Sequence, residues 1–223
     1  MTTVIAFDVN ETLLDLSVLD GPFEEVFGTA APRQQWFATM LQLSFVGGLT
    51  GDYVDFTTAQ RAALTMLAKR HGVDLTDAAV NAVVGRMRSL PPHPEVPAAL
   101  AKLAETQLTV VALTNSPLDV AEAQLTHAGI REHFTQAISA DSVRHLKPAR
   151  EPYLAVAQAF DVPAHEVRLV AAHSWDISGA LAAGCQAAFV TRPGMVLSPI
   201  GPQPDITGPD IAAVVDRIIA TDT

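Results

Sequence analysis

The sequence predicts an α/β fold, a parallel sheet between helix layers that is interrupted after its first strand by an all-α insertion. Three observations carry this. Short apolar, partly β-branched runs recur along the chain; from about residue 96 they alternate with helical patterns; and residues 16–93 show helical periodicity with no strand pattern among them. The first run, Val4-Ile-Ala-Phe-Asp-Val9, has the continuous apolar character of a strand covered on both faces. Apolar positions then recur at helical spacing in Phe23–Phe45, Phe56–Ala68 and Ala78–Met87. Turn signals at Gly47-Gly48, Gly51-Asp52 and Gly72-Val-Asp74 separate them into three or four helices, closed by Pro91-Pro92-His-Pro94.

Strands are expected next at Leu108–Thr114, Val167–Ala172 and Gln186–Thr191, with a weaker one at Gln136–Ser139. The helices between them are Val96–Thr106, Leu118–Ala128, Tyr153–Phe160 and Ile177–Ala183, followed by a last one over Ile211–Ala220. Ser116-Pro117 reads as an N-cap and first-turn pair, and Gly129 and Gly184 suit helix C-termini. Thr191–Pro209, with five prolines and three glycines in 19 residues, reads as a surface loop. The predicted division is therefore a core of residues 1–15 and 94–223 with a helical cap of residues 16–93.

Composition removes several function classes. Hydrophobic residues are 49% of the 223 and charged residues 17%, enough apolar material to exclude a largely disordered chain. The net charge of −10, with its few basic residues scattered, argues against nucleic acid or an anionic membrane surface as partner. The single Cys185 allows no internal disulfide, no Cys/His cluster has zinc spacing, and no apolar run suits a signal peptide or a membrane span. A cytoplasmic protein is expected.

In open parallel sheets the ligand crevice lies outside the carboxyl ends of the strands. Position alone selects Asp8, Asn10 and Thr12 after the first strand, Thr114-Asn115-Ser116 after the second, Lys147-Pro148 after the weak one, and His173-Ser-Trp-Asp176 after the next. Two carboxylates, a lysine, a hydroxyl–amide pair and a histidine suit nucleophilic catalysis better than core packing.

In these residues the chain resembles the haloacid dehalogenase-like hydrolases over nearly its full length. The matches are Phe7-Asp-Val-Asn-Glu-Thr-Leu-Leu-Asp15, Leu113-Thr-Asn115, Lys147-Pro148, and Trp175-Asp176 with Gly179. Within that superfamily the helical cap, Tyr53-Val-Asp-Phe56, Tyr153 six residues after Lys147, and the Trp-Asp pair are similar to the L-2-haloacid dehalogenase (type II) branch. The resemblance implies a Rossmann-like core, a small-molecule substrate, hydrolysis through an aspartyl ester, no metal or other cofactor, and frequently a homodimer. It makes Asp8 the nucleophile and Lys147 the residue that orients it, with Thr12 and Thr114 in the same cradle. Asp176 positions Lys147 and the hydrolytic water, and Asn115 with the cap receives the halide. Asn10, Phe37, Phe56, Tyr153 and Trp175 become candidate substrate contacts.

The phosphatases of the superfamily differ at two positions. They carry a second acid two residues after the nucleophile, to protonate an alkoxide, and a further acid that holds Mg²⁺; here those places are Asn10 and Ala172. An amide is no general acid, whereas a halide leaves without a proton. The chain also departs from the dehalogenase pattern. The substrate-binding arginine falls on Phe37, and Arg33, one turn earlier, reads as a solvated surface residue that alternatively reaches the same mouth. The family's Ser and Asn fall on Ala171 and His173, and His173 is open to three roles: helix cap, donor in place of the amide, or base for the water.

Plainer readings stand beside these. Asn10, Thr114 and Asn115 satisfy turn backbones as well as ligands, Phe56 and Trp175 are core or substrate wall, and Tyr153 packs or contacts substrate. His93 and His145 are read as surface, and Cys185 as a small buried hydrophobe. The leading function is a hydrolytic dehalogenase of short 2-haloacids. The alternatives are a Mg²⁺-dependent phosphatase on the same fold, or a catalytically lapsed binding member.

Overall fold

The computed structural model describes residues 2–223. Its centre is a six-stranded sheet, all parallel, in the order β3-β2-β1-β4-β5-β6. The strands are β1 (Val4–Phe7), β2 (Thr109–Thr114), β3 (Gln136–Ser139), β4 (Val167–Ala171), β5 (Gln186–Val190) and β6 (Ile206–Gly208). β1 lies between β2 and β4, with Phe7 in register with Ala112 on one side and Val170 on the other. Strand order reverses there, so the chain just after Phe7 emerges at the switch point where an open sheet leaves a crevice.

Helices cover both faces, which is why the strands read as continuous apolar runs. On one face, Ile5, Phe7, Val110, Ala112 and Val170 pack with α5 (Val96–Leu103), α6 (Leu118–His127) and α9 (Ile211–Asp222). On the other, Ala6, Val111, Leu113 and Leu169 pack with α7 (Arg150–Ala159) and α8 (Ser174–Ala182). Arg168 of β4 breaks the apolar pattern. It is buried, and Asp205 and Asp222 neutralise it.

Between β1 and α5 the chain forms four helices: α1 (Asp20–Phe27), α2 (Pro32–Thr50), α3 (Phe56–His71) and α4 (Asp77–Arg86). The apolar pattern expected to run unbroken from Phe23 to Phe45 is split at Gly28, whose φ of 76° ends α1. Gly47-Gly48 is not a turn but lies inside α2, which stops at Gly51 with φ 80°. Gly47 is there for space: a Cβ would sit 2.7 Å from the Asp52 carbonyl oxygen, where the chain folds back. Asp55 and Thr76 cap α3 and α4 by accepting from the backbone N–H of Thr58 and Ala79. Phe23, Trp36, Phe37, Met40, Phe56 and Leu64 belong to the same apolar cluster as Ile5 and Phe7, so the helices and the sheet share one interior. The two chain crossings run side by side, Asp15 N–H donating to Pro91 and His93 N–H to Leu13.

Two further expectations are corrected. Within the supposed loop Thr191–Pro209, Ile206–Gly208 forms β6 on the sheet edge, and Gly208 is held against α9, where a Cβ would lie 2.9 Å from the Val214 side chain. At the start of α6, Pro117 rather than Ser116 is the N-cap and Leu118 the first helical residue; the Ser116 hydroxyl instead accepts a bond from Asn10. Among the described residues no helix is long and apolar enough to cross a membrane.

Candidate active site

Asp8 follows β1 directly, its N–H bonded to the Val170 carbonyl of β4. The chain then turns sharply, Leu13 and Leu14 both donating to the Val9 carbonyl, and brings Thr12 back over Asp8. The Thr12 hydroxyl donates to Asp8 Oδ2 at 2.6 Å and accepts from the Ala172 N–H at 2.9 Å. On the other oxygen, Lys147 Nζ donates to Asp8 Oδ1 at 2.9 Å, and also to Asp176 Oδ2 at 2.5 Å and the Leu113 carbonyl at 3.0 Å. Its three protons are thereby used, and the side chain is wholly buried. Asn115 fixes the lysine backbone from both sides, its amide donating to the Lys147 carbonyl and its oxygen accepting the Lys147 N–H.

Asp176 lies in the first turn of α8, and Tyr153 donates to its Oδ1 at 2.6 Å. Of the two readings of Tyr153, packing or substrate contact, the structure favours the first, because the side chain is buried behind Asp176. Gly179 makes this possible, since a Cβ there would come within 2.5 Å of the tyrosine oxygen and 2.7 Å of Pro148 Cβ. The Thr114 hydroxyl accepts from the Ser116 N–H rather than joining the Asp8 cradle.

The electrostatics follow from one ammonium between two carboxylates. Burial alone would raise Asp8, but Lys147, His173 and Thr12 outweigh it and hold the carboxyl far below its usual range. Burial and the Asp8 charge leave Asp176 raised despite Lys147, while Lys147 itself is raised because its two carboxylates overcome desolvation.

His173 is the N-cap residue of α8, yet its ring makes no cap bond, so the helix-cap reading does not hold. Instead Nδ1 lies 3.2 Å from Asp8 Oδ2 and Nε2 2.9 Å from Glu11 Oε2. The ring is stacked between Phe37, at 5.7 Å, and Trp175, at 5.2 Å. Burial would lower its pKa, but the two carboxylates raise it to about 9, so at neutral pH it is an imidazolium donor to Asp8 and not a free base. Glu11, held at φ 61°, was not among the residues picked from the sequence; its partner lies 162 positions away.

Arg33 is not a solvated surface residue. Its side chain is 15% exposed, 2.5 Å from Asp20 and 3.9 Å from Glu11. His93 is half-buried, with Nε2 enclosed and unpartnered, and burial next to Arg192 lowers its pKa. Arg192, also missed, clamps the loop that follows Asp8 by donating to the Thr12 carbonyl, with Glu95 as its counter-ion.

Two spaces meet here. A chamber of about 10 Å³, room for a single water, is lined by Asp8, Asn10, Phe37, Leu41, Phe56, Thr114, Asn115, Lys147, His173 and Trp175. A cavity of about 610 Å³ lies outside it, with Glu11, Arg33, His93 and Arg192 in its wall. Phe37, Leu41 and His173 line both and form the partition. Most of the residues chosen from the sequence thus surround one chamber; Thr12, Tyr153 and Asp176 support it from outside. No cluster of three or more His, Cys, Asp or Glu placed to hold a metal ion occurs among the described residues.

The model of the haloacid dehalogenase-like hydrolases matches residues 2–184. The chain belongs to that family. It is 29% identical over 216 residues to haloacetate dehalogenase H-2 of Moraxella sp. strain B, covering 96% of each chain. To the (S)-2-haloacid dehalogenase of Pseudomonas sp. strain YL it is 28% identical over 214 residues, 95% of this chain and 92% of the other. Among solved structures, the Xanthobacter autotrophicus L-2-haloacid dehalogenase with chloropropionic acid covalently bound superposes over 100% of both chains with a TM-score of 0.92 at 24% identity. The family's Rossmann-like sheet is thus present in this member.

Proposed function

We propose that the protein is a hydrolytic dehalogenase of short 2-haloacids that acts through an ester on Asp8, without a metal. One observation carries the reading: an ionised, buried Asp8, fixed by Lys147 and Thr12, opens on a chamber walled by Phe37, Phe56 and Trp175. Position 10 of that chamber holds an amide where protonation of an alkoxide would need an acid. Asp8 displaces the halide in line, the carbon–halogen bond breaking as the carbon–oxygen bond forms, and water then cleaves the ester at the Asp8 carbonyl. Lys147 and Thr12 orient the carboxylate, Asp176 and Tyr153 hold Lys147, and Asn115 meets the departing halide from the chamber wall. Full-length dehalogenase relatives support the substrate class. Cations already occupy Asp8, with Lys147 on one oxygen and His173 on the other, which leaves poor ground for Mg²⁺.

Halide release from chloro-, bromo- and fluoroacids tests the reading, with Asp8→Asn as control. Wild type should release halide and the variant none, and a single turnover in heavy-oxygen water should label Asp8. A Mg²⁺-dependent phosphatase activity abolished by chelator, with no halide released, would replace the reading. The proposal extends to residues 16–93 as a cap on a core of 1–15 and 94–223, and to a cytoplasmic homodimer. Val46 and Leu49, exposed on α2, offer apolar surface for association, which sedimentation would measure.

A further inference from the structure

The second half-reaction needs a base for the attacking water, and few groups can supply it. Of the residues lining the inner chamber only Asp8, Lys147 and His173 titrate; Asp8 is the esterified group, and all three Lys147 protons are donated to fixed acceptors. Asp176 does not line the chamber, and both its oxygens are taken, by Lys147 and Tyr153. His173 remains. We propose that Glu11 and His173 form the water-activating pair for ester hydrolysis, and that esterification of Asp8 itself converts His173 from donor to base.

The inference rests on the aspartyl ester proposed above and follows from charge. In the resting enzyme the ring faces two anions, Asp8 on Nδ1 and Glu11 on Nε2, with Lys147 beyond Asp8 and Arg33 beyond Glu11; Phe37 of α2 and Trp175 of α8 present only rings. Displacement of the halide turns Asp8 into a neutral ester and removes one of the two anions. Glu11, partly offset by Arg33, still fixes the Nε2 proton, so Nδ1 is the nitrogen that releases its proton, toward the outer cavity that His173 also lines. Neutral Nδ1, which lay 3.2 Å from the carboxyl, is then placed to take a proton from a water attacking Asp8 Cγ. The tetrahedral adduct breaks its bond to the substrate oxygen, which leaves with the proton from Nδ1, and the regenerated Asp8 carboxyl returns its own proton to the ring. The sum is haloacid plus water to hydroxyacid, halide and one proton. Glu11 is a positioning residue, holding the tautomer in which Nδ1 is free.

Rapid-quench mixing with 2-bromopropionate tests this, following halide release and the intact mass of the protein. Glu11→Gln and His173→Asn should each retain a burst of about one halide per site and accumulate the ester, with its hydrolysis slowed about 10²-fold or more. Hydrolysis of the wild-type ester should rise with pH through one ionisation that His173→Asn lacks. Ester hydrolysis in both variants within about threefold of wild type, a scatter far below a base's contribution, overturns the pair. Loss of the halide burst in Glu11→Gln, with hydrolysis of any ester formed unchanged, also overturns it and leaves the pair only holding Asp8. A wild type that forms neither halide nor ester overturns the dehalogenase reading and this inference together.

Discussion

A buried imidazolium between two carboxylates has a consequence for stability. The His173 pKa rises from 6.5 unfolded to about 9 folded, so its contribution is complete below pH 6.5 and is lost as pH climbs through 9. The shift corresponds to something on the order of 3 kcal/mol at full effect. The thermal midpoint of the wild type should therefore fall between pH 7 and 10 more steeply than that of His173→Asn, and equal slopes would remove the imidazolium from the account. A histidine NMR titration should place the same midpoint near 9. Asp8 was legible in the sequence because it directly follows a strand that the α/β pattern identifies, and Lys147, in the loop between β3 and α7, because it forms a Lys-Pro pair in the stretch after the weak strand. Glu11 and Arg192 were not, because their significance comes from His173 and Thr12, 162 and 180 positions away, and no local spacing encodes such pairs. For Arg33 the inward alternative holds and the surface one does not, since Asp20 and Glu11 draw it toward the outer cavity only in three dimensions.

Elements were readable where their apolar pattern was long and obscure where geometry depended on a neighbour. The sheet strands other than β6 were expected from their runs. β6 is three residues long between Pro204 and Pro209, too short for any periodicity, and it exists because β5 offers it an edge. Glycines carried two different messages that sequence alone does not separate. Gly28 and Gly51 end helices through positive φ, whereas Gly47 and Gly179 sit inside helices because something touches them. Gly179→Ala is the sharper test of that second kind. Its methyl would meet backbone and side-chain atoms of Pro148 and the Tyr153 hydroxyl, all under 3.0 Å, so α7 and α8 must separate. We expect a loss of about 2–3 kcal/mol, seen as a midpoint lowered by roughly 5–10 °C. Activity should fall further than stability explains, because the Tyr153 bond to Asp176 is displaced. Tyr153→Phe, which keeps the packing and deletes only that bond, should cost about 1–2 kcal/mol and lower kcat with little change in KM. If Tyr153→Phe leaves kcat at the wild-type value, the support of Lys147 through Asp176 has been overrated.

At the scale of the whole molecule, the inner chamber and the outer cavity pose a problem of access. A space of about 10 Å³ cannot admit even a two-carbon haloacid, so the partition of Phe37, Leu41 and His173 must part during turnover. Phe37 and Leu41 belong to α2 and His173 to the start of α8, so parting means moving α2 relative to the sheet. The contacts resisting that motion are specific. Phe45 meets Trp175 edge to face at 5.6 Å, the Tyr53 hydroxyl is bonded to Asp141, and Arg144 lies 4.7 Å over the Tyr53 ring. Of these, the Tyr53 bond is the one to cut cleanly, because Tyr53→Phe keeps the ring that packs on the apolar core and lies under Arg144. A half-buried bond to a carboxylate is worth about 1 kcal/mol here, or roughly a fivefold shift toward the open arrangement. The variant should show faster amide exchange at the end of α2 and the start of α3, and a KM raised severalfold, since substrate binding must then supply the closure. Its kcat should hold or rise if opening limits product release. Unchanged exchange and KM would mean that the α2 side does not move as a unit, and that access depends on local rotation of Phe37 and Leu41 alone.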